Sequence, residues 1–500
     1  MPGYPRPRSV APRALTELAP LAGAAVPADG VGVHVTGVTH ASGEVHPGDL
    51  YAALPGARRH GADFTARAAA AGAVAVLTDP AAAARAAAAG LPALVVAAPR
   101  DVLGVVASAV YGDPTAAISV IGLTGTAGKT TTAYLVEAGL RAAGRTTGLI
   151  GTVETRLGDL VIDSARTTPE ATDLHAALAV ARERGVTDVV MEVSSHALTM
   201  GRVGGVRFAV GGWTNFGLDH LDFHADSDDY FAAKARLFDG RCRTEVVNAD
   251  DPALTTVTRP TSVTYSALGH PATWTAVGVT GAARQSFTAV GPDGARVAAG
   301  VGFPGRHNVA NALLALSCLA AVGVDAATAA AAIAEVDHIP GRLEQVGAGP
   351  VHAVVDYAHK PDAIIAVLRA LRTLAQDRGG RLICVLGAGG DRDRGKRPLM
   401  GRAAAQGADV FLLTDDNPRT EDPAGIRAEV RAGAEGGPAE LVEIPGRREA
   451  IAAAARLARP SDVVAVLGKG HERGQEINGQ VLPFDDRQEL AAALAGESPR

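Results

Sequence analysis

Open, mostly parallel α/β sheets spread over more than one domain are what this chain implies, and three features carry that reading. The first is the stretch ISVIGLTGTAGKTTTAYLVEAGL at 118–140, where an apolar run, a Gly-rich loop and a helical pattern follow one another. The second is a series of apolar runs that each end in polar residues, the pattern of parallel strands buried on both faces with function at their carboxyl ends. The third is length. A single hydrophobic core does not organise 500 residues, so about two to four domains are expected.

Taken in order, the runs fall into three sections. In the first, GVHVTGV (32–38), AVAVL (73–77) and ALVVAA (93–98) read as strands around an Ala-rich helical stretch, giving a small α/β unit that ends near YGDPT (111–115). The second opens with the Gly-rich loop and continues through DVVMEVSS (188–195), AVGGWTNF (209–216) and TEVVNAD (244–250). From about 255 to 301 short polar–apolar alternation with many Gly and Thr predicts a few antiparallel strands, and NVANALLALSCLAAVG (308–323) predicts a helix. The third section starts near PGRLE (340–344). There HAVVDYAH (352–359), LICVLGAGG (382–390), VFLLTDD (410–416), LVEIP (441–445) and DVVAVLGKG (462–470) alternate with helical stretches, the mark of another open parallel sheet. The Ala-rich segments at 81–89 and 326–334 favour helix.

Composition narrows the class. Hydrophobic residues are 47% and charged residues 20%, which suits a folded protein, while aromatics at 4% leave the core to Val, Leu, Ile and Ala. A formal charge of −6 speaks against non-specific nucleic-acid binding. Cys242, Cys318 and Cys384 form neither a disulfide framework nor a metal-ligand spacing, and fit a reducing cytoplasm. No apolar run reaches membrane-spanning length. The lead MPGYPRPRSVAPR is basic, Pro-rich and without a signal-peptide apolar region, so residues 1–10 are expected to be disordered.

The loop GTAGKTT (125–131) carries the clearest chemistry. Gly125 and Gly128 allow a tight turn that brings backbone N–H groups up to a phosphate. The helix N-terminus adds partial positive charge, Lys129 a full one, and Thr130 a hydroxyl suited to Mg²⁺. The usual phosphate loop would need glycine where Leu123 stands, so this is a shorter variant.

With the sections placed, the motifs GTAGKTT, RTTPEA (166–171), MEVSSHAL (191–198), TNFGLDHLDFH (214–224), GRHNVAN (305–311), PGRLE, VDYAHKPDA (355–363), GGDRDRGKRPLMG (389–401) and DDNPR (415–419) come in one order. Together they resemble the Mur ligases, specifically the tripeptide-synthetase branch that adds the third residue of the peptidoglycan stem. The match runs from PGDLYAALPG (47–56) to GKGHE (468–472). The resemblance implies a small α/β UDP-sugar-binding domain at 1–112, a central P-loop-type ATP-binding domain with a mostly parallel sheet at 113–339, and a mobile Rossmann-like domain for the amino acid at 340–500. It also implies a monomeric cytoplasmic enzyme of peptidoglycan synthesis. ATP would phosphorylate the D-Glu carboxylate of a UDP-muramyl dipeptide, and diaminopimelate would attack the acyl phosphate.

Carried over position by position, the resemblance assigns Gly125, Thr126, Ala127, Gly128, Lys129, Thr130, Thr131, Asn308, Arg342 and Asp356 to ATP. Glu192 and His220 join Thr130 at Mg²⁺, with Lys234 as a carbamate formed from CO₂. Taken alone, Lys234 on the helical DDYFAAKARLF reads as a solvated charge. Lys129, Lys234, His220 and Glu192 form the implied catalytic set. Ser42, Thr167, Thr168, Ser194 and Arg202 match sugar-nucleotide contacts, although Ala41-Ser42-Gly43 stands where the family has D-S-R, and Met200 where some relatives carry Gln. For diaminopimelate the matches are Arg392, Asp416, Asn417, Pro418, Arg419, Gly468 and Glu472. Two guanidiniums and one carboxylate suit a distal amino acid head, and the remaining Arg residues of DRDRGKRP read as solvated surface. A relative using L-lysine or another carboxylate acceptor, and a non-catalytic nucleotide-binding protein, are the competing readings. DDNPR speaks against lysine. Lys129, Glu192 and Lys234, all present, speak against the non-catalytic protein.

Overall fold

A computed structural model describes residues 4–56, 58–217 and 219–496. Three sheets organise them, one per section. The first has four parallel strands in chain order, Gly37–Thr39, Asp49–Ala52, Ala75–Thr78 and Ala93–Val95. Asp49–Ala52, inside PGDLYAALPG, escaped the sequence reading because its flanking Pro and Gly look like loop. Thr36 interrupts GVHVTGV, whose first part, His34–Val35, instead pairs antiparallel with Arg13–Ala14.

The central sheet has 11 strands. Ser119–Thr124 lies between Asp188–Glu192 and Phe208–Trp213, with all three parallel. Cys242–Asn248, Val263–Ser266 and Trp274–Thr280 extend it in parallel, and Gln285–Val290 and Arg296–Val301 close that edge as antiparallel strands. The alternating segment from 255 to 301 therefore continues the parallel sheet before it turns antiparallel. At the other edge Thr147–Ile150 adds in parallel, and Glu154–Leu157 and Leu160–Asp163 follow antiparallel. The helices Lys129–Ala142 and Arg306–Ala321 pack together on one face. On the other lies Ala171–Glu183, whose remaining side meets Pro99–Val110 of the first section.

The third sheet runs in the order Glu344–Gln345, His352–Asp356, Val463–Leu467, Leu382–Leu386, Val410–Leu413, Glu440–Glu443, parallel except at its first pair. The three central strands are fully buried along their lengths, as β-branched and Leu-rich runs require when helices cover both faces. A hairpin, Gly474–Ile477 with Gln480–Pro483, stands beside it. Among the described residues no helix is long and apolar enough to cross a membrane.

The expectation of a disordered lead needs correction. Residues 1–3 lie outside the described residues, but Tyr4 packs on the core beside the central sheet. Arg6 donates to both oxygens of Asp49, at 2.7 and 2.8 Å, and to Glu44 O. Asp49 is 1% exposed. A buried carboxylate is costly without a partner, and the basic lead supplies one.

The joint between the first two sections depends on close backbone approach. A Cβ on Gly104 would lie 2.4 Å from Gly204 O and 2.7 Å from Gly204 Cα. His175, buried in the next helix, has its Nε2 2.8 Å from the same carbonyl. Gly104→Ala forces these segments apart and lowers the unfolding free energy by about 1–3 kcal/mol, to be read from urea denaturation. An unchanged midpoint would show that the joint yields freely.

Candidate functional site

The parallel register of the central sheet sets Leu123 opposite Glu192, so the Gly-rich loop leaves the sheet beside that carboxylate. Gly125 and Gly128 have φ of +134° and +87°. Side chains would be strained at either position, and a Cβ would strike Thr214 Oγ1 at 1.9 Å or Asn311 Oδ1 at 2.4 Å. The residues after Phe208–Trp213 fasten the loop. Ala127 N donates to Asn215 Oδ1 (3.0 Å), and Thr214 Oγ1 donates to Ala127 O (2.6 Å).

Glu192 is buried and fully engaged. Thr130 Oγ1 (3.0 Å) and Thr152 N (2.8 Å) donate to Oε1, and Thr152 Oγ1 donates to Oε2 (3.1 Å). Arg342, from the third section, donates through Nη2 to Thr130 Oγ1 (3.0 Å) and lies 4.6 Å over the Tyr357 ring. Lys129 folds back onto Gly125 O at 2.6 Å. Burial, helped by the nearby charge of Lys360, lowers its pKa to about 8. Lys234 is no solvated charge. It is 1% exposed, donates to Gly125 O (3.0 Å) and sits 4.4 Å over Tyr230. Burial, then Lys129 and Lys360, push its pKa well below the usual lysine value.

A cavity of about 550 Å³ opens here, lined by both the central and the third sections. Thr126 to Thr131 and Glu192 form one wall, and Arg342, Asp356, Tyr357 and Lys360 the other. Asn308 and Asn311 reach in from the helix Arg306–Ala321. Asn308 does not cap that helix, whose N-cap is Gly305. It donates to Pro304 O (2.8 Å) and accepts from Asn311 (3.1 Å). Both Asp356 oxygens accept backbone N–H groups, from Leu343 and Ala358. Burial outweighs these bonds and raises its pKa.

His220 also lines the cavity, at φ +54°. Its Nε2 lies 2.9 Å from Asp219 Oδ2, and its ring meets His196 edge-on at 4.7 Å. Burial keeps its pKa below the usual histidine value. Of the four expected metal ligands only Thr130 and Glu192 touch. Among the described residues no three His, Cys, Asp or Glu side chains gather in reach of one ion. That still fits Mg²⁺, which takes one or two carboxylates and completes its shell with phosphate oxygens and water. The Thr130–Glu192 pair at a helix N-terminus beside Lys129 has the groups such a half-site requires.

Thr167, Thr168, Ser194 and Arg202 form a second cluster. Thr167 Oγ1 is 3.0 Å from Thr152 Oγ1, and Thr168 Oγ1 donates to Glu192 O (2.9 Å). Ser194 Oγ caps the short helix Ser195–Thr199, and Arg202 pairs with Glu170 at 2.7 Å. Ser42 follows the strand Gly37–Thr39 of the first section. That loop is tied to the central section by His40 Nδ1, 3.1 Å from Thr172 Oγ1.

The amino-acid residues expected from DDNPR and GKGHE meet in the third section. Asn417 Nδ2 donates to Glu472 Oε2 (3.0 Å), and Lys469 Nζ donates to Asn417 Oδ1 (2.9 Å) and Glu472 Oε2 (3.0 Å). Gly468, at φ +116°, passes so near Asp416 that a Cβ would lie 2.6 Å from its Oδ2. Arg419 adopts φ +53° after Pro418. Glu476 and Gly390 O hold its Nε and Nη1, and its backbone pairs with the hairpin at Ile477. Arg392 is exposed and bonds only its neighbour's carbonyl, Asp391 O, among the described residues. Arg397 corrects the reading of DRDRGKRP as solvated surface. It is fully buried, because Glu421 and Glu429 both pair with its guanidinium. Sequence reasoning missed Thr152, Asn215, Asp219, Lys360 and Lys469. Lys360 and Lys469 lie inside quoted motifs, but a lysine beside a turn is ordinarily solvated.

Comparisons with known proteins cover nearly the whole chain. The Mur ligase family, catalytic domain matches residues 34–111, the Mur ligase middle domain 123–319, and the Mur ligase, glutamate ligase domain 341–470. The chain is 54% identical to the UDP-N-acetylmuramoyl-L-alanyl-D-glutamate–2,6-diaminopimelate ligase of Streptomyces coelicolor, over 99% of this chain and 98% of that protein. It is 46% identical to the Corynebacterium glutamicum protein of the same name, over 89% of each. A solved structure of a ligase of that name superposes with a TM-score of 0.68 at 31% identity, covering 97% of this chain and 99% of the other.

Lys469, with 0% exposure, donates to two acceptors that each keep one further donor, Glu476 N at Asn417 Oδ1 and Asn417 Nδ2 at Glu472 Oε2. Lys469→Met therefore removes two charge-assisted bonds at the half-buried Glu472 and at Asn417 without orphaning either acceptor, at a cost of about 1–3 kcal/mol. Urea denaturation of the variant checks this, and a loss below about 0.3 kcal/mol would show that the network carries no strain.

Proposed function

The chain belongs to the Mur ligase family, and from that premise we propose that it is an ATP-dependent amide ligase joining diaminopimelate to UDP-N-acetylmuramoyl-L-Ala-D-Glu. The near full-length identity to diaminopimelate ligases is the observation that carries the reading. In this assignment residues 1–112 receive the UDP-sugar, 113–339 bind ATP and 340–500 bind the amino acid. Three buried free thiols suit work in the reducing cytoplasm.

The chemistry follows from charge. ATP and a carboxylate repel, so cations must hold both. Lys129 and the N-terminus of Lys129–Ala142 serve the phosphates, and Arg342 adds a guanidinium from the third section. Asn308 serves the adenine and Asp356 the ribose. Thr130, Glu192, His220 and Lys234 as a carbamate would hold Mg²⁺, which when bound neutralises charge on the phosphate oxygens. Burial makes the Lys234 ammonium easier to deprotonate, the neutral amine is the form that reacts with CO₂, and its carbamate would relieve the crowding of cations around it. Thr167, Thr168, Ser194, Arg202 and Ser42 are proposed to position the muramyl dipeptide. Its D-Glu carboxylate oxygen attacks the γ-phosphorus and ADP leaves. The neutral amine of diaminopimelate then attacks the acyl carbon, the C–O bond to phosphate breaks, and the amine proton is lost. A cavity shared between two sections suits this route, because their closure keeps water from the acyl phosphate.

Amino-acid choice rests on Arg419 and Arg392 for carboxylate and Glu472 with Gly468 for the ammonium, on a base formed by Asp416, Asn417 and Pro418. Lysine lacks the distal carboxylate and would leave Arg419 without its ligand partner.

Phosphate release from ATP is expected only with both the muramyl dipeptide and diaminopimelate present. Release with another acceptor pair and none with this one would overturn the assignment. A charge-assisted hydrogen bond is worth about 1.5–3 kcal/mol, so Arg419→Ala lowers kcat/KM for diaminopimelate by about 10- to 150-fold with the KM for ATP little changed. Lys234→Ala loses most activity, and added formate or acetate restores part of it. Full activity without the additive would refute the carbamate.

A further inference from the structure

Three lysines from three elements end on two neighbouring carbonyls of the Gly-rich loop. Lys129 Nζ donates to Gly125 O at 2.6 Å and to Thr126 O at 3.3 Å, and Lys234 Nζ donates to Gly125 O at 3.0 Å. The third is Lys360, whose Nζ donates to the same Thr126 O at 3.2 Å. It comes from the third section, at the N-cap of the helix Pro361–Asp377. Its side chain is 13% exposed and lines the cavity with Lys129. The first residues of that helix, Asp362, Ala363 and Ala366, line it too, so the positive end of a 17-residue helix also faces the space.

Of the three lysines, only Lys360 has a carboxylate within ion-pair distance among the described residues. Glu192 turns its oxygens to two hydroxyls and an amide rather than to a lysine. Asp219 Oδ2 is shared between Lys360 and His220. Burial works to raise the Asp219 pKa, but Lys360 and His220 outweigh it and hold the group ionised. Even with Lys234 as a carbamate, Lys129 and Lys360 still share one backbone acceptor. A carbonyl is a weak partner for two ammonium groups in a dry site, and a phosphate oxygen in that space would be a far stronger one.

We propose that Lys360 is a ligand for the terminal phosphate, supplied by the third section. On ATP binding its ammonium exchanges Thr126 O for a γ-phosphate oxygen. The triphosphate is then held tightly only when the amino-acid-binding section is docked on the loop, which ties phosphoryl transfer to the presence of the section that delivers the amine. This inference rests on the assignment of ATP to the cavity.

Calorimetric titration of the full-length protein with ATP and with ADP, each with Mg²⁺, tests it. The wild type should bind both. Lys360→Met should weaken ATP at least 10-fold and ADP less than twofold, while Lys360→Arg keeps most of the preference. Asp219→Asn breaks the ion pair but leaves the ammonium, so it should retain the wild-type ratio of ATP to ADP affinity. Equal weakening of both nucleotides in Lys360→Met, or the same change of ratio in Asp219→Asn, would make Lys360 a clamp between sections and overturn the proposal. Lys360→Gln removes the charge with a polar side chain and gives the same reading should Lys360→Met fail to fold. A wild type that binds neither nucleotide would overturn the ATP assignment and this inference together. A wild type that prefers ATP, with that preference intact in Lys360→Met and Lys360→Gln, would overturn this inference alone.

Discussion

A buried carboxylate governs the centre of this molecule. Glu192 ends a fully buried strand, and its side chain has almost no access to water. An ionised carboxylate there is tolerable only with donors on both oxygens. Thr130 and Thr152 supply them, and each is thereby fixed. Thr130 is in the first turn of the helix after the phosphate loop, so the loop is held to the sheet at a set distance. Arg342 reaches the same hydroxyl, so the third section is joined to the loop through the same group. Thr168 accompanies them by donating to the backbone carbonyl of Glu192. Helix, loop, neighbouring strand and a second section thus meet at one charge.

Close approach of backbones is the other constraint. With few aromatics, the core gains contact through proximity rather than bulk. Gly104 against Gly204 brings the first section onto the central one. Gly139 lets the helix Lys129–Ala142 settle on Leu319 of its neighbour, where a Cβ would come within 2.3 Å. Gly341 lets the turn before Arg342 pass beside His471, whose backbone N would be 2.1 Å from a Cβ. The last contact matters for function, since it places the GKGHE segment against the turn that carries Arg342. The cavity and the network around Glu472 come together through it, with Tyr357 tilted against His471 and under Arg342.

The network around Lys469 shows how buried charge confers shape. Lys469 and Asn417 fix one oxygen of Glu472, while Arg447, fully buried and paired with Asp486, braces the strand end from below. Arg419 is set by the hairpin rather than by its own loop, in a left-handed conformation that its bond to Glu476 stabilises. Preorganisation of this kind lets a pocket discriminate by charge, because the groups do not relax to satisfy a ligand that lacks one.

Much of this was legible in the residues. Apolar runs ending in polar residues gave the parallel strands. The Gly125/Gly128 spacing gave the tight loop at 125–131, and the ordered motifs gave the family. These signals are local, because a strand's burial or a loop's turn depends on residues a few positions apart. Pairings across long separations were not legible. Arg6 with Asp49 and Arg397 with Glu421 and Glu429 turned expected disorder and expected surface into ion pairs with one buried partner, and Lys360 and Lys469 turned motif lysines into packed contacts. Residue type and spacing say that a side chain is charged. Whether that charge meets water or a partner depends on how the sections pack, and packing alone brought Thr130, Thr152, Glu192 and Arg342 to one point.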